Sequence, residues 1–246
     1  MSFRIWHSFF CVIFLLSCDE TKDKNEIKQL NKWEFQYQDE WYLAQVPGNN
    51  FSDLLSHKFI LDPYYASNED SIQWVPQQKW IYRTSFSKSK KEHHTLVFKG
   101  LDTYANVFLN DSLILQTQNM FRTYKADISN ILLDHNKLTI HFLPIPDQEN
   151  IKSKNVPYTL PGGSRVFTRK AGFHYGWDWG PKIATSGIWR PVELHSWSSA
   201  QIISFELKQK FLSEHKADLE AVVNLEIAER GNYSLENYEQ VYRNIA

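Results

Sequence analysis

Cysteine is nearly absent from this 246-residue chain, where Cys11 and Cys18 are the only two. Cys11 lies in an N-terminal apolar run that export would remove, so a mature chain has no pair for a disulfide. Charge of one sign is missing too. Lys+Arg 27 against Asp+Glu 28 gives a formal net charge of -1, which excludes the basic footprint of a nucleic-acid binder. The N-terminal apolar run Phe9–Leu16 is far shorter than the ~20 residues a spanning helix needs. Length leaves no room for a (β/α)₈ barrel beside an accessory domain, because the barrel alone takes roughly 250 residues. No two histidines have the neighbours a zinc site wants, and neither a Gly-rich phosphate loop nor a Ser/His/Asp pattern occurs. No metal and no cofactor are therefore expected. Aromatics, by contrast, are abundant, at 9 Trp, 12 Tyr and 16 Phe. Such a content suits β-sheet cores and flat carbohydrate-stacking surfaces.

At the N-terminus, Arg4 precedes the apolar run, which closes on Leu15-Leu16-Ser17-Cys18. This end resembles the bacterial lipobox, where cleavage occurs before a cysteine that is then diacylated. Residues 1–17 are thus expected to be a signal peptide and Cys18 the lipidated residue. The bland alternative is an ordinary signal with an incidental cysteine. Residues 18–27 are polar and aperiodic and read as a flexible tether. The expected location is the outer membrane or cell surface through a lipid anchor, with the periplasm as the other compartment.

From Trp33 onward the hydrophobic period is mostly two. Leu138, Ile140 and Phe142 alternate with Thr139 and His141 until Pro144, the pattern of a half-buried strand. Residues 81–86, 95–98, 105–109 and 113–115 read the same way. Asn110-Asp111-Ser112 marks a hairpin over residues 104–116. Residues 50–57 look helical, with an Asn available as N-cap. The cationic stretch 88–94 reads as a solvated hairpin loop, and the proline-punctuated stretch 144–163 as a long irregular excursion. A boundary falls near Ser198, leaving 198–246 too short for a standard sandwich of ~100 residues.

The densest motif is Phe173-His174-Tyr175-Gly176-Trp177-Asp178-Trp179-Gly180-Pro181. If extended, it points Trp177 and Trp179 one way and Asp178 the other. Two indoles on one face suit a core. The carboxylate between them must either meet a cation, such as Arg165, Arg169 or Lys170, or face a wet pocket that binds hydroxyls.

Five blocks, residues 98–105, 107–110, 119–122, 176–181 and 187–192, occur in the order and spacing of β-mannosidases. Upstream, Val46-Pro47-Gly48, Asp53-Leu54-Leu55 and Asp62-Pro63-Tyr64-Tyr65 extend the likeness. The chain resembles the N-terminal sugar-binding domain of that glycoside hydrolase family over residues 31–205. It departs from the family at Phe51, often His, where a pocket-edge contact is expected to change, and at Asp111, often Gly. The resemblance implies an all-β chain: a galactose-binding-like jelly-roll β-sandwich over 28–197, then the start of an immunoglobulin-like β-sandwich over 198–246. It also implies a substrate, a β-mannoside oligosaccharide with terminal non-reducing β-D-mannose, held by Asp178 and Trp177. No catalytic residue is placed here, since the family's two glutamates lie on a barrel beyond residue 246. The leading expectation is thus an N-terminal fragment of a retaining β-mannosidase without its barrel. The alternatives are a surface-anchored carbohydrate-binding module and a nonfunctional remnant.

Overall fold

The computed structural model describes residues 25–228. The expected signal peptide, Cys18, most of the tether and residues 229–246 lie outside these. Among the described residues, twelve strands occur in chain order: β1 (Glu26–Gln29), β2 (Trp33–Tyr37), β3 (Glu40–Ala44), β4 (Trp80–Ser87), β5 (His93–Phe98), β6 (Tyr104–Leu109), β7 (Ser112–Gln118), β8 (Tyr124–Asp127), β9 (His135–Phe142), β10 (Val192–Trp197), β11 (Ala200–Leu212) and β12 (Ala217–Ile227). Helices are α1 (Asn50–Ser56), α2 (Asn68–Ser71) and α3 (Ile145–Ser153).

Two antiparallel sheets form the sandwich, a six-stranded one in the order β3-β2-β4-β9-β6-β7 and a four-stranded one in the order β1-β10-β5-β8. Period-two alternation makes them face each other. Trp80, Tyr82 and Phe86 of β4 and Leu138, Ile140 and Phe142 of β9 are buried, in one cluster with Leu96, Phe98, Val192 and Leu194 of the smaller sheet. Burying each large side chain of this kind stabilises the fold by about 1.5–3 kcal/mol. From β4 to β10 the chain repeatedly changes sheet, as in a jelly roll. The all-β sandwich expected from the alternation is therefore the fold.

Four expectations change. Residues 88–92 form no hairpin loop: β9 pairs with β4 along its whole length, so the chain arches to the other sheet and begins β5 at His93. The excursion after Pro144 contains α3, because Pro146 sits in the first helical turn, where its missing N–H would have no intrahelical partner. Residues 26 and 27 do not belong to the tether. They pair with Ser196 and His195, filling the open edge of β10. Phe51, at the position where the family often has His, is buried in the core rather than at a pocket edge. The Asn50–His57 expectation holds, with Asn49 as cap: its Oδ1 accepts from Phe51 N at 3.0 Å and Ser52 N at 3.1 Å.

Beyond Trp197, β11 and β12 form a sheet of their own. One face of this ribbon carries Ile202, Phe205, Leu207, Leu219, Val223 and Leu225. The other carries polar pairs such as Ser204 with Asn224 and Lys210 with Glu220.

Candidate functional site

Residues 171–184 leave the sandwich as a loop. Two 3-10 turns, Gly172–Tyr175 and Trp177–Trp179, meet at Gly176, whose φ of 76° is left-handed. That conformation suits glycine and coils the motif, so the extended alternation expected for Trp177, Asp178 and Trp179 does not form. Trp179 also has a positive φ, 63°, and its residue is 99% exposed. Trp177 is 65% exposed, so neither indole belongs to the core. Asp178 occupies the middle of this turn. The Arg165 guanidinium lies 5.8 Å from the Trp177 ring and 5.9 Å from the Tyr175 ring, within cation–π range.

Lys170, a cation considered above as a partner for Asp178, is committed elsewhere. Its Nζ reaches both oxygens of Asp102, 2.5 Å to Oδ1, and donates to Thr185 O at 2.8 Å and Oγ1 at 3.2 Å. Thr185 Oγ1 donates to Asp102 Oδ2 at 2.7 Å. With that hydroxyl proton spent, His174 Nδ1–H donates to Thr185 Oγ1 at 2.8 Å. Burial, helped by the Lys170 charge, pushes His174 down to about 4 against the pull of Asp102, so the imidazole is neutral near pH 7. Burial likewise pulls the Lys170 ammonium below the ordinary lysine value, opposed by the Asp102 carboxylate beside it. On the far side, Tyr175 OH donates to Glu149 Oε1 at 2.5 Å, and burial, then that carboxylate, raises the phenol.

Asp102 is fixed by backbone. It exchanges two 2.9 Å hydrogen bonds with Gly187, where any Cβ would come 2.6 Å from Asn49 Cα. Glycine at 187 thus permits the close approach that brings Asp102 under the loop. A cavity of about 540 Å³ opens beside it, walled by Phe121, Phe173, Pro181, Ile183 and Trp189 with His174 and Asp102 among its polar groups. Sequence reading singled out Asp178 and Trp177 as site residues but missed the support of the loop that carries them. Asp102 stood inside a quoted motif and Lys170 among the candidate cations; only the fold brings them together.

Residues 33–190 match the family described as glycosyl hydrolase 2 galactose-binding domain-like. The chain belongs to that family. Among curated relatives of this glycosyl hydrolase 2 domain, it is 35% identical over 185 residues to β-mannosidase B of Thermothelomyces thermophilus, covering 68% of this chain and 21% of the relative. It is 34% identical over 174 residues to the β-mannosidase of Mus musculus, covering 65% and 20%. The chain therefore spans about a fifth of the length of the curated relatives it matches. The crystal structure of β-D-mannosidase from Dictyoglomus thermophilum superposes with a TM-score of 0.79 at 34% identity, covering 83% of this chain and 26% of that one. An exo-chitosanase from Amycolatopsis orientalis, with a TM-score of 0.64 and 18% identity over 83% of this chain and 24% of that one, shares the fold. The loop of residues 171–184 and its support, Asp102, Lys170 and Thr185, all fall within the matched residues 33–190.

Proposed function

We propose that this chain is the sugar-recognising part of a retaining β-mannosidase that removes terminal non-reducing β-D-mannose from oligosaccharides. The observation that carries this reading is the Trp177-Asp178-Trp179 turn, held out on a built loop with both indoles exposed, in a chain 34–35% identical to β-mannosidases. Exposed indoles offer flat faces to the apolar side of a pyranose. Asp178 is the residue that binds mannose hydroxyls, and Trp177 forms a wall beside it. Bond breaking needs two further carboxylates about 5–5.5 Å apart, one protonating the leaving oxygen and one attacking the anomeric carbon. In this reading both lie on a barrel not contained in residues 1–246.

Residues 198–246 begin an immunoglobulin-like sandwich, in which further strands cover the apolar face of β11 and β12. Cys18 carries a lipid that anchors the mature chain to a membrane; Cys18→Ala is expected to move it to the soluble fraction, and unchanged membrane fractionation contradicts the anchor. For the function itself, the purified chain is expected to give no turnover of an aryl β-mannoside and, in calorimetric titration, affinity for mannose and mannobiose weaker than about millimolar, since one loop supplies few of the contacts a sugar pocket needs. Turnover that Asp178→Ala abolishes contradicts the division of labour. Tighter binding favours an autonomous carbohydrate-binding module.

A further inference from the structure

The loop of residues 171–184 departs and returns through a narrow neck, at Lys170 on one side and Thr185 on the other. Lys170 Nζ spans that neck by donating to Thr185 O and Oγ1. The same ammonium and the same hydroxyl both reach Asp102, which the paired hydrogen bonds with Gly187 tie to the sandwich. Side-chain exposures are 0% for Lys170 and 2% for Asp102, so water does not compete for this pair. Farther out, besides the His174–Thr185 hydrogen bond, the Arg165 guanidinium near the Tyr175 and Trp177 rings and the packing of Ile183 against the core, the loop meets the rest of the chain through single hydrogen bonds. These are Tyr175 OH to Glu149, Lys182 N to Glu69 Oε1 at 2.5 Å and Gln73 Nε2 to Lys182 O at 2.9 Å, the last two exposed.

We propose that Lys170, Asp102 and Thr185 form a clamp that sets the position of the Trp177–Trp179 turn, making them positioning residues for Asp178. The clamp is a property of this chain; its consequence for sugar recognition rests on the function proposed above. A swing of the loop about its neck separates Lys170 from Thr185 or from Asp102 and leaves a buried charge without its partner, a far larger penalty than exchanging an exposed hydrogen bond for water. The sandwich therefore dictates where the turn stands, while the turn's own exposed residues remain available for contact.

Hydrogen exchange of the whole chain, read by mass spectrometry without any sugar, tests the clamp. The deciding variant is Lys170→Met with Asp102→Asn, because removing both charges together avoids stranding either one. Peptides within residues 171–184 are expected to exchange at least about tenfold faster than in the parent, while β4 and β9 keep their rates. Lys182→Met, which changes a lysine of the loop whose ammonium forms no ion pair among the described residues, is expected to leave both unchanged. Parental loop rates in the folded double variant overturn the clamp. So does a parallel rise in loop and core, or failure of the double variant to fold, since either makes the pair a support of the sandwich at large. An inactive role for Asp178 in sugar assays overturns the proposed function and leaves the clamp standing; parental loop rates do the reverse.

Discussion

Asp53, 1% exposed, accepts hydrogen bonds from Gln45 N and Tyr82 OH, both at 2.8 Å. Burial nevertheless dominates and pushes its carboxyl up to about 6, against the pull of Gln45, Tyr82 and His57. A folded value above the unfolded 3.8 means that the protonated form favours the fold. Its contribution is fully present below about pH 4 and is lost as the pH rises through 6, a change of about 3 kcal/mol. Asp53→Asn removes that dependence. The difference in unfolding free energy is expected to swing toward the variant by about 3 kcal/mol between about pH 4 and pH 7 in urea denaturation; a difference independent of pH contradicts this. His174 has the opposite sign. Its folded value of about 4 lies below the ordinary 6.5, so the stability it contributes is present above 6.5 and lost as the pH falls through 4. An NMR titration of the ring is expected to show a neutral imidazole down to about pH 4, and a midpoint near 6.5 contradicts its burial against Lys170.

Two hairpins share one turn geometry. Gln38-Asp39 between β2 and β3 and Asn110-Asp111 between β6 and β7 both have φ of 48° and then 65°, across the closing pairs Tyr37↔Glu40 and Leu109↔Ser112. Two left-handed residues in a two-residue loop form a type I′ turn, which favours glycine second. The aspartate at 111 is tolerated there at some strain. Asp111→Gly is expected to stabilise the chain by about 0.5–1 kcal/mol, read as a higher thermal midpoint, and a lower midpoint contradicts the strain. Strand content was legible because β4, β6 and β9 each alternate across a half-buried sheet, and that alternation survives in sequence. The arch after β4 was not, because the choice of β9 over β5 as neighbour depends on pairing between distant segments. Nor was α3, whose prolines resemble loop punctuation until Pro146 is placed in a first turn. The Trp177–Trp179 motif was legible as a site but not in its shape, since the bend at Gly176 overrides the alternation that its residue types suggest.

At the scale of the whole molecule, the two sheets of the sandwich cover each other, while among the described residues no second sheet covers β11 and β12. Phe205, Leu219 and Leu225 are 45%, 50% and 41% exposed on one face of the ribbon, and apolar faces of this kind drive association. The chain is expected to self-associate in sedimentation velocity, and Phe205→Lys with Leu219→Lys to shift it toward monomer; a monomeric parent contradicts an uncovered sticky face. In the function proposed for it, this domain brings a sugar-holding aspartate to chemistry performed elsewhere. The most direct test of this proposal is an exchange in which residues 33–190 replace the matching segment of the β-D-mannosidase from Dictyoglomus thermophilum, a structural match at 34% identity. The chimera is expected to hydrolyse an aryl β-mannoside, and Asp178→Ala within it to lower kcat/KM about a hundredfold, the loss of charged hydrogen bonds to substrate hydroxyls. Hydrolysis at an unchanged kcat/KM in the Asp178→Ala chimera would contradict the claim.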